Sequence, residues 1–129
     1  WVGWLECDYK NYINNNYDHR DDPKWKYVVY GNQVENEPNT LGYTIARTYI
    51  FIARGVCDYY AWVWNIPMIN VDRTVLMHEV GHSVCIVDIS GGNEVYCNNS
   101  QCVMAQATAH NCIDNPFYCA HHWRKRDFT

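Results

Sequence analysis

The run His78-Glu79-Val80-Gly81-His82 sets two imidazoles four residues apart, with a carboxylate beside the first. On an α-helix, positions i and i+4 lie on one face, a turn apart, so both rings can reach one Zn²⁺ at about 2.0–2.1 Å. Glu79 does not easily join them on the same ion, but it can reach a water held there. Zinc lowers the pKa of such a water toward ~7, and a carboxylate within reach takes its proton. The hydroxide so formed can attack an amide carbonyl that the metal polarises. A five-residue pattern also arises by chance. Its place on a predicted helix, after β-rich sequence and in a chain of domain size, favours the zinc reading over coincidence.

A catalytic zinc takes three protein ligands and keeps one position open, so a third must come from downstream. Asp88, six residues after His82, can serve if the helix breaks after about Val84; otherwise it only caps or solvates the helix end. Glu94, His110 and His121 are the other candidates. Glu94 follows Gly91-Gly92, which fits poorly with a ligand carried on a second helix. Seven cysteines is an odd number, so they cannot all pair within the chain. Cys97, Cys102, Cys112 and Cys119 lie close together, while Cys7, Cys57 and Cys85 are scattered. Disulfides and a metal site with some free thiols are both open readings. Cys7 could act as a thiolate switch on the zinc, although a buried or bonded cysteine is the commoner case. His19 reads as an exposed loop residue.

The elements that must position these groups follow from patterning. Residues 8–25 are polar and turn-rich, an irregular segment or a short polar helix. Lys26–Tyr30 is a short strand ended by Gly31-Asn32, and 33–39 is a loop. Leu41–Ala53 is rich in β-branched and aromatic residues and makes one long strand or two, closed by Arg54-Gly55. Pro67 argues against a helix running through Tyr59–Met68. A helix is predicted from Asn70 to about Cys85, capped by Asn70 or Asp72, with Leu76, Val80 and Val84 on its apolar face. Residues 90–93 form a turn and 97–114 are irregular. Asn115-Pro116 opens a last helix to about Asp127, whose basic Arg124-Lys125-Arg126 suits a solvated carboxyl end.

Composition bounds the class. The 129 residues, 15.2 kDa, fit one domain. With 48% hydrophobic and 19% charged residues the chain is globular, not wholly disordered. A net charge of -4 excludes a general nucleic-acid coat, and no apolar run reaches the ~18 residues of a membrane span. The high aromatic content, 16%, suits a small core built from few residues. The sequence opens at Trp1 without a charged-then-apolar leader, so two readings are open: a leader or pro-segment has been removed, or this is a piece cut from a longer sequence.

The run His78–Asp88 resembles the metzincins, zinc proteases with the pattern HExxHxxGxxH or HExxHxxGxxD. His78, Glu79, His82 and Asp88 fall on the motif positions, and the aspartate form is similar to snapalysin. Cys85 stands where the family has a glycine that turns the chain sharply toward the metal. Met104 fits the methionine that metzincins hold in a tight turn beneath the zinc; an ordinary core methionine is the alternative. The segment Cys97–Met104 further resembles the archaemetzincins, whose pattern continues C-x4-C-x-M and later C-x2-C around a structural zinc. Here Cys119-Ala120-His121-His122 offers C-x2-H, so the resemblance implies Cys97, Cys102, Cys119 and His122 as a second, structural zinc site. In archaemetzincins the third histidine directly precedes the first of these cysteines, a position held here by Tyr96. Disulfides such as Cys97–Cys102 or Cys112–Cys119 are the rival.

The expected fold is α+β and zincin-like: a small mixed twisted sheet packed on the active-site helix, with a small irregular or helical C-terminal subdomain. One catalytic domain spans 1–129, divided near 85 and 86, with a sheet edge along the cleft. The resemblance implies a zinc-dependent endopeptidase with Glu79 as general base, catalytic zinc on His78, His82 and Asp88, and a peptide or protein substrate. No nucleic-acid or membrane partner is expected, and the chain is expected to be a monomer. Two other classes stay open: a non-catalytic zinc-stabilised binding module, and a zinc hydrolase acting on a non-peptide amide. The start at Trp1 and the usual setting of metzincins lean extracellular, whereas zinc-type cysteines lean intracellular.

Overall fold

The computed structural model describes residues 11–13, 15–16, 22, 24–34, 36–45, 47–86, 88–90 and 93–127, with main chain only over 88–90 and 93–95. The protein is a small mixed α+β structure. Strand β1 (Tyr27–Gly31) pairs in parallel with β3 (Tyr49–Ala53), and β2 (Gly42–Ile45) pairs antiparallel with β3 on its other side, giving the order β1-β3-β2. Residues 41–53 are thus two strands rather than one. Central β3 is buried along its whole length. Its alternation sends Tyr49, Phe51 and Ala53 into a core with Ile13, Val34 and Val56. Ile50 and Ile52 point the other way, into a core with Cys57, Ala61, Val71, Val75 and Cys112.

Helix α1 (Arg54–Trp64) leaves β3 without a linker, where the sequence predicts only the end of a strand. Gly55 signals something other than a turn. It sits in the first turn of α1, its N–H donates to the Asn32 carbonyl at 2.9 Å, and a Cβ there would lie 2.0 Å from Asn32 Oδ1. The glycine admits a neighbouring loop against the helix start, and that loop satisfies an otherwise orphan N–H. Asn65 ends α1 in the left-handed conformation, φ 53°, so no helix runs through Pro67.

Helix α2 (Met68–Ser83) starts two residues ahead of the predicted Asn70. Neither expected cap residue caps it, for each is engaged inside the helix. Asn70 is buried and donates from Nδ2 to Asp114 Oδ1 at 3.1 Å, while Asp72 pairs with Arg54 of α1 at 3.1 Å. Pro67 precedes the first turn instead, its fixed φ leading into the helix. Val71 and Val75 are the most buried apolar side chains of α2, with Leu76 and Val80 partly buried beside them.

Beyond α2, strands β4 (Asp88–Ser90) and β5 (Asn93–Val95) form a separate antiparallel pair, where the sequence suggests only a turn. Residues 96–119 are irregular, as expected for 97–114. The predicted last helix shrinks to a single turn, α3 (Ala120–Trp123). Phe117 is drawn into a bridge with Cys102 and Cys119 into the cysteine cluster, so the chain cannot coil from Pro116. A third core holds Val84, Ile86, Cys102, Val103 and Met104, joining the end of α2 to this segment. Arg124 and Arg126 are exposed and Lys125 partly so, with Arg126 over the Trp123 ring at 4.3 Å, consistent with a solvated end.

Because β3 is covered on both faces, it should tolerate truncation worst. Ile52→Ala is expected to cost about 2–5 kcal/mol, read as a shift of the urea midpoint at unchanged slope.

Candidate metal centre

Two groups of potential ligands emerge, on either side of one short segment. The first is the cluster Cys97, Cys102, Cys119 and His122, whose ligand atoms all lie within 4.8 Å of one another. Cys97 Sγ and Cys119 Sγ are 3.7 Å apart, and Cys119 Sγ is 3.2 Å from His122 Nδ1. A disulfide needs sulfurs about 2.05 Å apart. Tetrahedral zinc, with Zn–S near 2.3 Å, needs about 3.8 Å between them. The donor set fits a closed four-coordinate site. Backbone N–H groups also converge on the sulfurs: Asn99 N on Cys97 at 3.4 Å, and Met104 N and Cys119 N on Cys102 at 3.4 and 3.2 Å. Such donors favour thiolates. Cys57, Cys85, Cys97, Cys102, Cys112 and Cys119 are all free, so neither disulfide rival forms. Cys112 sits in the helix–sheet core instead, buried beside α2.

Electrostatics separate the thiols. Burial raises the Cys97 thiol to about 11 and the Cys112 thiol to about 11. In Cys57 burial, followed by the Asp72 charge, raises it to about 12. At Cys119 burial also acts upward, but hydrogen bonds with the side chain and backbone of His122, and with Cys102 and Cys97, together bring it down to about 7.

The second group is the histidine pair on α2. His78 and His82 turn their rings edge to face, with the two Nε2 atoms 2.9 Å apart. His78 Nδ1 donates to the Val103 carbonyl at 2.7 Å; a carbonyl can only accept, so the proton sits on Nδ1 and the Nε2 lone pair faces its partner. Burial lowers the pKa of His82 below the ordinary 6.5, against a hydrogen bond with the Ile86 backbone that raises it. The ring is neutral near pH 7, the form a metal requires.

The surroundings hold this pair in place. Met104 lies under it: a Cβ on Gly81 would meet the Met104 sulfur at 2.6 Å, so the bare glycine lets the methionine pack against the helix. Met104 is in a tight turn closed by Ala105 N donating to the Cys102 carbonyl at 3.0 Å. Lys26 Nζ and Arg47 Nε both donate to the Ser83 carbonyl, at 3.0 and 3.3 Å, meeting the negative end of the helix.

The helix then stops by a two-bond cap. Cys85 N donates to His82 O at 3.1 Å and Ile86 N to Gly81 O at 2.9 Å, with Cys85 left-handed at φ 64°. The position expected to need glycine makes the turn with a cysteine. Three residues on, the chain enters β4 at Asp88, whose side chain lies outside the described residues, as does that of Glu94. Cys7 and His19 also lie outside them. His110 is exposed, and His121 is exposed on α3 beside His122, at the other metal group.

A cleft of about 320 Å³ opens beside His78, and His82 is not among the residues that line it. Thr40, Leu41 and Gly42 at the start of β2 form one wall, Tyr60 and Trp64 of α1 another, and Tyr96, Val103 and Gln106 the far side. His78 and Glu79 line it from α2. Glu79 is buried, 5% exposed, and Thr44 of β2 donates its hydroxyl within 2.7 Å of Oε2. Tyr96 stands 6.1 Å from the His78 ring, centre to centre. Thr44 and the Val103 carbonyl are partners the sequence does not announce. A strand threonine is ordinary, and a main-chain acceptor has no residue signature.

Set against models of protein families, curated proteins and solved structures, the chain matches none of them.

In metal-free protein, iodoacetamide should label Cys119 ahead of Cys97. The Cys119 rate should climb with pH to about 7 and flatten above it, as the thiolate fraction saturates. Zinc should suppress this labelling and leave that of the exposed Cys85 unchanged, read by peptide mass mapping. Equal labelling of Cys119 with and without zinc would rule out the cluster as a metal site.

Proposed function

We propose that this chain is a zinc-dependent endopeptidase of metzincin type, with a catalytic zinc on His78 and His82 and a structural zinc on Cys97, Cys102, Cys119 and His122. The observation that carries the reading is that two imidazole Nε2 atoms on α2 lie 2.9 Å apart, and that the first of these histidines lines a cleft together with the buried carboxylate of the next residue. Three further features support it. Met104 lies in a tight turn under Gly81, Cys85 adopts the left-handed turn at the motif's glycine position, and the cysteine cluster has the spacing that zinc requires.

Zinc on the histidine pair would supply a water of lowered pKa and a Lewis acid for the substrate carbonyl. The chain's own residues do the rest. His78 is held in the ligating tautomer by Val103, and burial favours the neutral form of His82. Glu79 accepts the proton of the attacking water and returns it to the leaving amine nitrogen. Thr44 orients the carboxylate through Oε2. The opening of β2 runs along the cleft and offers main-chain groups to an extended peptide, the strand-addition mode. Asp88 is the proposed third ligand, since it enters β4 directly beyond the turn that ends α2.

Glu79→Gln should lower hydrolysis of a quenched-fluorescence peptide library by at least ~100-fold while zinc content per chain stays unchanged. A wild-type protein that holds zinc at the pair yet cleaves no peptide would count for the binding module or the non-peptide amide hydrolase. Loss of zinc in Glu79→Gln would make this glutamate a ligand rather than a base.

A further inference from the structure

Cys102, Val103 and Met104 are consecutive, and each faces a different task. Cys102 belongs to the cysteine–histidine cluster. Val103 accepts the His78 Nδ1 proton through its carbonyl. Met104 sets its sulfur under Gly81. The segment is fully packed, at 0%, 1% and 3% exposure respectively. Its main chain is tied on both sides: Val103 N donates to Phe117 O at 2.9 Å, and Cys97 N donates to Met104 O at 3.2 Å.

Asn111 fixes it from beneath. This side chain is wholly buried, and its Nδ2 donates to the carbonyls of Cys102 at 3.1 Å and of Ala105 and Gln106 at 3.4 Å. Its Oδ1 accepts from Thr108 N at 3.0 Å, and its backbone carbonyl accepts from Thr74 of α2 at 3.2 Å. Asn111 thus binds the turn through its side-chain amide and the helix that carries both histidines through its backbone carbonyl.

We propose that the two metal groups form one linked unit. An ion at the cysteine–histidine cluster tightens binding at the His78–His82 pair, with the Val103 carbonyl as the link and Asn111 as the positioning residue. The inference rests on reading the pair as a metal site. An ion on the cluster fixes Cys102 against Cys97, Cys119 and His122, and so fixes the carbonyl one residue later. With the cluster empty, Cys102 can shift and the hold on His78 slackens; a proton that moves to Nε2 then blocks the ligating atom. Partners in this outer position are worth about 10–100-fold in metal affinity. Linkage is reciprocal, so each site tightens the other by the same factor.

Cobalt(II) titration of the full chain tests this, because thiolate ligands give a sulfur-to-cobalt charge-transfer band that a histidine site lacks. Wild type should bind two ions. In Cys119→Ser the dissociation constant of the histidine site should rise about tenfold or more. In His82→Ala that of the thiolate site should rise by the same factor. Asn111→Asp retains every proposed ligand and should weaken the histidine site toward its value in Cys119→Ser. If Cys119→Ser does not fold, the His82→Ala arm yields the same number by reciprocity. If the histidine site keeps its wild-type constant in Cys119→Ser and Asn111→Asp, and the thiolate site keeps its own in His82→Ala, the linkage is overturned and the proposed function stands. A single ion on the thiolates, with none on the histidine pair at saturating cobalt, would overturn both.

Discussion

The hydrogen bond from His78 Nδ1 to the Val103 carbonyl is the contact on which the arrangement around the histidine pair depends. It is short, it is made to the main chain, and it decides which nitrogen of His78 carries a proton. Everything that holds Val103 therefore bears on what His78 can bind. Asn111 gathers three carbonyls of the surrounding turn, Phe117 accepts the Val103 N–H, and Tyr118 reaches across to donate to the Met77 carbonyl on α2. The irregular segment after β5 is ordered by these polar contacts and by the small core around Ile86 and Val103 rather than by regular secondary structure.

The sheet and the two long helices supply rigidity to the other side of the cleft. β3 sends alternate side chains into two cores, and α2 packs over the face that carries Ile50 and Ile52. Edge strand β2 brings Thr44 to Glu79, so the carboxylate is held by the sheet while the His78 imidazole is held by Val103. The carboxylate of Glu79 and the ring of His78 are thus positioned by two different packing units that meet at α2. A 16-residue helix wedged between them is a stiff common reference.

Much of this was legible in the residues, and the rest was not for identifiable reasons. Helix α2 shows itself through the histidine spacing and its apolar positions, and the cysteine cluster through C-x4-C and C-x2-H. The strands of the three-stranded sheet follow from β-branched and aromatic runs. Helix α1 escaped because Gly55 and its aromatic residues speak locally for turn and strand; tertiary contact with the Asn32 loop overrides them. The long last helix fails in the opposite sense. Its local preference is helical, but Phe117 and Cys119 are tied to Cys102, and only one turn survives. Cys85 shows why a motif position and a residue type differ: the left-handed turn is adopted without the glycine that usually marks it, at a steric cost of about 1–2 kcal/mol.

The adjacency of Cys102, Val103 and Met104 carries a consequence for how such a chain can change over time. Three duties sit on three successive residues, so their spacing allows no slack. Inserting or deleting one amino acid here would move a sulfur, an acceptor and a packing group out of register together, however conservative the new residue. Substitutions can be absorbed one at a time at Val103, whose side chain is not the functional part. Length variation has to go elsewhere, into exposed stretches such as 36–39.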